Sequence, residues 1–551
     1  MREMEESVPD AGVMVPGAET CVLSAMLDRQ AAAIGDRTLI VFDTGESWTY
    51  AAARDQARRC AAALARLGIR RGDPVLVWLP NGPQIVRISF ALSYLGAVFV
   101  PVNVALRGGM LEHIIANSGA RIAICHASLI ERLGVIKTGS LDTIVAIGGA
   151  APTAPAGLAM KGEDALESDD SDFPAPVPPV APWDTAAIFY TSGTTGPSKG
   201  VICPNLHMYA MAWMTFAHIM QTGDRFLISL PYFHLGGALV PHAMIDAGNS
   251  MAVLNEYRTA TFWDDVRKLG ATGCFLVGAM TNFLMKQEPG PDDAQGPLRF
   301  VIQQPLSHDA IALGKRFGVE VYTEFDMTEM GPAVISEAIS EGFDKPSGYC
   351  GRLREGWPHF DLRVVDSNDC EVPPDVPGEL VARCAVPWVI SPGYHKMPEA
   401  TARAWRNGWF HTGDSLSRDS KGNLYFVDRM KDSIRRRGEN ISSIEVEEEM
   451  LLHPLIAAAA AVAARNEDGE EEVMIIVQPK ADATVDPIEL TRFLMPRLPH
   501  FAIPRYIRIV KAMPLTLTNK IQKSQLRNEG VTSDTWDRET SGIPVKRERL
   551  Q

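Results

Sequence analysis

The stretch Ala186–Gly200, "AAIFYTSGTTGPSKG", decides how the chain is read. Its first five residues are an apolar run of strand length, so a buried strand is expected there. Glycines, hydroxyl residues (Thr191, Ser192, Thr194, Thr195) and Lys199 follow at once. Glycine lets a backbone approach an oxyanion closely, and hydroxyl and N–H groups donate to it. A donor-rich loop at a strand's end is where α/β sheets place ligands, so the stretch is predicted to bind phosphate. It is not a Walker A loop: Ser198 precedes Lys199 and Gly200 follows it, where that template needs Gly before the lysine and Ser or Thr after.

Upstream, "YAAARDQARRCAAALARLGI" has the spacing of an amphipathic helix, "DPVLVWLP" that of a buried strand, and "QIVRISFALSYLGAVFVPV" that of a helix running into a strand. Such alternation predicts an α/β fold with a parallel sheet. From about Ala150 to Pro182 the chain turns rich in Pro, Ala, Gly and acid, which predicts an irregular surface connection. Downstream, a boundary is expected near Arg429. Ser442 with Glu445 three residues on forms a capping-box pattern, "EEVMIIVQPK" reads as a strand, and "DPIELTRFLMPRL" reads as a helix with Pro487 in its first turn. "HPLIAAAAAVAARNEDGE" stays open between a helix, favoured by alanine, and a buried strand. The expected architecture is α/β: a large N-terminal domain (1–429) of mixed, mostly parallel sheets and helices, and a small, mobile α+β C-terminal domain (430–551).

Composition narrows the function. The 551 residues carry a net charge of −14 with 46% hydrophobic and 22% charged residues, the profile of a globular protein with no basic face for nucleic acid. An acidic start, "MREMEESVPDAG", is unlike a signal peptide, and no run approaches the roughly 18 apolar residues of a transmembrane segment, so a cytoplasmic location is expected. Eight cysteines lie scattered without a Cys-x-x-Cys pair and are expected to be buried free thiols.

"YTSGTTGPSKGV" resembles the signature of the adenylate-forming superfamily of acyl-CoA synthetases, peptide-synthetase adenylation domains and beetle luciferases. Further stretches similar to its motifs follow in the same order. The resemblance implies that Thr191, Ser192, Gly193, Thr194, Thr195, Gly196 and Lys199 grip the β and γ phosphates of ATP. By the match of "YTEFDMTEMG", Phe325 packs on adenine, Thr328 bonds near the α-phosphate and Glu329 holds Mg²⁺, while Asp326 stands where glycine is usual. "GWFHTGD" makes Asp414 the ribose ligand. "DRMKDSIRRRGENISSIEVE" places Arg429 near ribose or phosphate, Lys431 at a hinge and Gly438 along the route of the coenzyme A thiol. "PLTLTNKIQKSQLR" gives Lys520 as the catalytic lysine, with Asn519 where glycine is usual and Lys523 as the competing candidate.

The family chemistry implied is attack of a carboxylate on the α-phosphorus of ATP, followed by displacement of AMP by a thiol. Lys520 would be delivered by the small domain for the first step and withdrawn by rotation about Lys431 for the second. In "FHLGG", His234 follows Phe233 where amino-acid-activating relatives typically carry aspartate, so an acid without an α-amino group is expected and His234 is read as a gate of the carboxylate site. "VIQQPLS" replaces the usual Gly-Ala-Pro, so Gln303 and Gln304 are expected to make the acyl pocket short or polar. "GAVFVPVNVALRGGMLEHIIANSGARI" and "TWDRETSGIPVKRERL" look most like the crotonobetaine/carnitine-CoA ligase branch. ATP, Mg²⁺ and coenzyme A are the expected cofactors, a small carboxylic acid the expected partner, and a homodimer is compatible with the reading. Transfer to a carrier protein and non-catalytic nucleotide binding are the alternatives.

Overall fold

The computed structural model describes residues 15–545 except 150–151, 170, 192–196, 307–308, 340–342, 344–347, 430–432, 438, 468, 482, 515–520 and 522. Three sheets build the large domain. One has seven strands in the order 159–161, 143–147, 122–126, 74–78, 98–101, 185–191, 199–204, parallel until its last pair. A second has seven strands in the order 320–322, 300–304, 273–277, 225–228, 250–253, 38–42, 47–49, again with only the last pair antiparallel. The third is an antiparallel sheet over 324–429. The expected helix is present as Tyr50–Arg66, where the Thr49 side chain accepts from Ala52 N and caps the first turn. The strand Pro74–Trp78 and the helix Pro83–Leu95, leading to the strand Val98–Pro101, also form where expected.

The stretch left open resolves as a strand, Ile456–Arg465, paired antiparallel with Glu471–Pro479. Helix propensity loses because both faces are covered: Ala460, Val462 and Ala464 pack with Met474 and Ile476, while Ala459 and Ala461 share a cluster with Val446 and Met450. A strand buried on both faces reads as a continuous apolar run. Asn466 closes the turn by accepting from Glu470 N through Oδ1 at 3.0 Å. The helix Pro487–Leu494 starts as expected, with Asp486 accepting from Ile488 N.

Two expectations need correction. The 150–182 connection is not wholly irregular, since Ala159–Lys161 adds an edge strand and Glu163–Leu166 a short 3-10 turn. Nor are all the thiols buried, because Cys370 is exposed and Cys384 half-buried.

Large and small domains share one apolar cluster, in which Leu106, Met110 and Ile188 of the former sit with Ile434, Met450 and Leu498 of the latter. The strand Asn423–Arg429 ends the antiparallel sheet, and the next described element is the hairpin Ser433–Arg436 with Glu439–Ser442.

Candidate active site

The strand Thr185–Thr191 does not feed a helix. It pairs antiparallel with Lys199–Pro204, with Thr191 opposite Lys199 on the last strand of the sheet. Lys199 Nζ lies 4.8 Å from the ring centroid of Tyr394. The Tyr394 hydroxyl donates to Glu329 Oε1 at 2.9 Å. Burial, then the charge of Glu329, pushes that hydroxyl's pKa up, so it stays a donor. A cation, an aromatic face, a phenol and a carboxylate thus stand in series between the loop and the acid.

The segment around Tyr394 is stitched to both sides. Ser391 N donates to Glu329 O at 2.8 Å, and Ser391 Oγ donates to Ile202 O at 2.7 Å. His395 N donates to Gly200 O at 2.7 Å. The fully buried His207 ring bridges Thr328 O and Val389 O. Gly393 precedes the tyrosine at φ 141, a conformation open to glycine and costly for a side chain, and a Cβ there would also meet Thr401.

Two further acids gather beside Glu329. Asp326 has a buried Oδ1 without a hydrogen-bond partner, and desolvation followed by the charge of Glu329 raises its pKa to about 7. Glu324 is buried; desolvation first and Asp326 second push its carboxyl well above the usual range. Gln304 Nε2 donates to Glu324 Oε1 at 2.8 Å. Gln303 is buried elsewhere and donates to Thr281 Oγ1 at 2.7 Å, so the two glutamines act on different neighbours. The pair Asp326 and Glu329 fits a hard divalent cation: both offer carboxylate oxygens, and one buried oxygen lacks any other partner. Among the described residues no group of three or more metal-ligating side chains forms.

Phe325 is buried and pairs with Val334 in the antiparallel sheet. Asp414 and Arg429 are cross-strand partners, which places the two residues expected at ribose side by side. His234 precedes the short helix Leu235–Ala238, and its Nε2 lies 3.2 Å from Glu439 Oε2 of the small domain's hairpin. Beside it opens a cleft of about 560 Å³ between the domains, lined by Phe233, Tyr257 and Met280 on one side and by Arg436, Arg437 and Glu439 on the other.

Ser192, Gly193, Thr194, Thr195, Gly196, Lys431, Gly438 and Lys520 lie outside the described residues. Lys523, the competitor of Lys520, is held inside the small domain: its Nζ donates to Ser443 Oγ at 2.9 Å and lies 2.6 Å from Glu447 Oε1. Glu445, expected as a capping-box residue, instead sends Oε1 across to Ser198, accepting from its N at 2.9 Å and its Oγ at 2.7 Å.

Sequence reasoning missed Tyr394, His207, Glu324 and Glu439. Glu324 stands within "YTEFDMTEMG", but nothing local marks its role, which comes from its bond with Gln304. Tyr394 carries no local signal, because its role comes from a partner 65 residues away.

The family model described as AMP-binding enzyme matches residues 27–395, and the model of that family's C-terminal domain matches 445–520. The chain belongs to the AMP-binding enzyme family. Among curated relatives of this AMP-binding enzyme, a crotonobetaine/carnitine–CoA ligase of Salmonella paratyphi A is 30% identical over 92% of the chain and 98% of its own length. The Salmonella arizonae protein of the same name is 29% identical over the same shares. An o-succinylbenzoate CoA synthetase from Bacillus subtilis shares the fold at a TM-score of 0.77 and 21% identity, covering 91% of this chain and 98% of that one. An amide bond synthetase from Marinactinospora thermotolerans does so at 0.77 and 23%, covering 92% and 99%. Among the described residues of the AMP-binding enzyme, no helix is long and apolar enough to cross a membrane.

Proposed function

We propose that the chain is an ATP-dependent acid–CoA ligase: it makes an acyl-adenylate with release of pyrophosphate, then an acyl-CoA thioester with release of AMP. The observation that carries this reading is the series Lys199, Tyr394, Glu329, which ties a donor-rich loop to an acid cluster within one site. Lys199 and the loop offer positive charge and donors to the β and γ phosphates. Glu329 and Asp326 would hold Mg²⁺, which supplies charge neutralisation at the phosphate oxygens. Asp414 and Arg429, opposed across two strands, take the ribose side. Nucleotidyl transfer of this kind depends mainly on positioning and on compensation of spreading charge, so no covalent nucleophile is required.

His234 and Glu439 mark the second step. With Glu439 of the small domain set beside His234, the cleft lined by Arg436 and Arg437 offers cationic walls to the phosphates of coenzyme A. Lys520 belongs to the other arrangement, in which the small domain delivers its charge to the α-phosphate.

The acid is small and polar. Glu324 and Gln304 hold each other by a hydrogen bond, and if Gln304 faces the acyl chain, as the family resemblance implies, a long apolar chain there would leave buried polar groups unpaired. A panel of acids scored by pyrophosphate release, with and without coenzyme A, tests the reading. Crotonobetaine and carnitine, named for the relatives, head the panel. Expected are acid-dependent pyrophosphate release and turnover that continues only with coenzyme A; fastest turnover on palmitate would contradict the pocket, and no release with any acid would contradict the ligase.

A further inference from the structure

The turn that carries Asp414 is held by one buried acid of the neighbouring strand. Strands Gly378–Cys384 and Trp409–Arg418 pair antiparallel, with Val381 opposite His411 and Glu379 opposite Ser415. Between those pairs the first strand supplies Leu380 alone and the second supplies Thr412, Gly413 and Asp414, so the second strand bulges. A bulge re-aims a side chain and leaves backbone groups outside the ladder. Gly413 lies in the left-handed region at φ 74, where glycine carries no steric cost.

Glu379 takes up what the bulge leaves over. Its Oε1 accepts from Gly413 N at 3.0 Å, and its Oε2 accepts from His411 Nδ1 at 2.9 Å. Arg406 Nη2 donates to the same Oε2 at 3.0 Å. Thr412 adds a second tie, donating from Oγ1 to Leu380 O at 2.7 Å and accepting from Asp414 N at 3.1 Å. Glu379 and His411 are both buried, whereas Asp414 at the end of the bulge is half-buried. A buried carboxylate shared by three donors from two elements is a rigid anchor, and a binding group is useful only when held within about 0.5 Å of its working position.

On the ligase reading, which puts the ribose hydroxyls on Asp414, we infer that Glu379 is a positioning residue for nucleotide recognition. By holding His411 and Gly413 together, it sets the direction in which Asp414 leaves the strand, and so sets the preference for ribose over a sugar without hydroxyls.

The test uses the full chain and isothermal titration calorimetry with AMP and its 2′,3′-dideoxy analogue. The wild type should bind AMP at least about tenfold more tightly than the analogue, the scale of hydrogen bonds to a charged group. Asp414→Ala should bring that ratio to within about twofold of one. Glu379→Ala should cut the ratio at least about fivefold although Asp414 is intact, and should leave affinity for the analogue within about threefold of the wild type. Glu379→Gln keeps an acceptor oxygen of the same reach and should hold the ratio within about threefold of the wild type. Glu379→Asp falls one methylene short of Gly413, should behave as the alanine variant, and takes its place should that protein not fold. With Glu379→Ala and Asp414→Ala combined, the ratio should fall no further than in Asp414→Ala alone. An unchanged ratio in Glu379→Ala and Glu379→Asp, or equal weakening of both nucleotides, would overturn the positioning role and leave the ligase reading intact. A wild type without preference for AMP, or a preference that survives Asp414→Ala, would instead sink the ribose assignment on which the inference rests.

Discussion

Tyr394 shows how much of this site depends on single side chains that no motif announces. Its ring faces Lys199 and its hydroxyl bonds Glu329, so it couples the loop to the acid that would carry the metal. Hydrogen bonds to charged groups contribute about 1.5–3 kcal/mol, and removing one leaves Glu329 short of a donor in a buried place. Tyr394→Phe is therefore expected to raise the KM for Mg-ATP by about tenfold or more, read by pyrophosphate release, with little loss of folded protein; an unchanged KM would show that the phenol is a bystander. Glu324 is the second such residue. Glu324→Leu removes the partner of Gln304 and should move the acid panel toward apolar acids, and an unaltered preference order would place the acyl pocket elsewhere. Both residues were hard to read in advance for one reason. Lys199 sits in a stretch whose local composition points to phosphate, and Glu329 and Asp414 sit in stretches that resemble family motifs, whereas Tyr394 and Glu324 gain their roles only from tertiary partners.

Elements follow the same division. The helix Tyr50–Arg66 and the strand Pro74–Trp78 were legible because their periodicity and boundaries agree, with a capping threonine before one and a proline-bounded apolar run in the other. The run 456–465 was ambiguous because alanine's helix propensity and two-sided burial pull in opposite directions, and burial wins once Glu471–Pro479 pairs with it. The helix Ser443–Leu451 was placed by its capping pattern, yet the acid that suggested the cap faces another domain. That location gives docking a pH dependence. Burial first, and the charge of Glu448 among the lesser causes, raises the Glu445 pKa from 4.5 to about 7, with the bonds from Ser198 acting the other way. Glu449 on the same face is also raised, chiefly by burial, while Gly109 and Arg497 oppose the shift. A carboxyl raised on docking is held protonated more tightly in the docked form, so docking is unhindered below about 4.5 and weakens as pH climbs toward 7. His113 and Lys199 flank Ser198, and Lys523 pairs with Glu447 on the same helix. The docked fraction, followed by energy transfer between dyes on the two domains, should accordingly fall as pH rises from about 5 to 7 and level off above, and Glu445→Gln should flatten most of that change. A docked fraction that instead grows over this range would contradict the assignment.

At the scale of the molecule, two domains share one apolar cluster and a polar seam in which His234 meets Glu439 and Ser198 meets Glu445. The large domain carries the series Lys199, Tyr394, Glu329 and the opposed Asp414 and Arg429; the small domain contributes the hairpin whose Glu439 meets His234, and on the proposed alternation it would bring Lys520 in another arrangement. The division into a large α/β part and a small α+β part was legible from composition and periodicity, but the arrangement of the two parts was not, because it rests on contacts between residues more than 200 positions apart. If one site is used in two arrangements, as proposed, the two half-reactions can be broken separately. The most direct check is to measure both half-reactions in Lys520→Ala with the best acid from the panel. Adenylate formation, followed by pyrophosphate release, is expected to fall at least about a hundredfold, the scale of losing a group that compensates charge in the transition state, while thioester formation from supplied acyl-adenylate and coenzyme A stays within a few-fold of the wild type. Equal loss of both steps, or loss of the thioester step alone, would contradict the account.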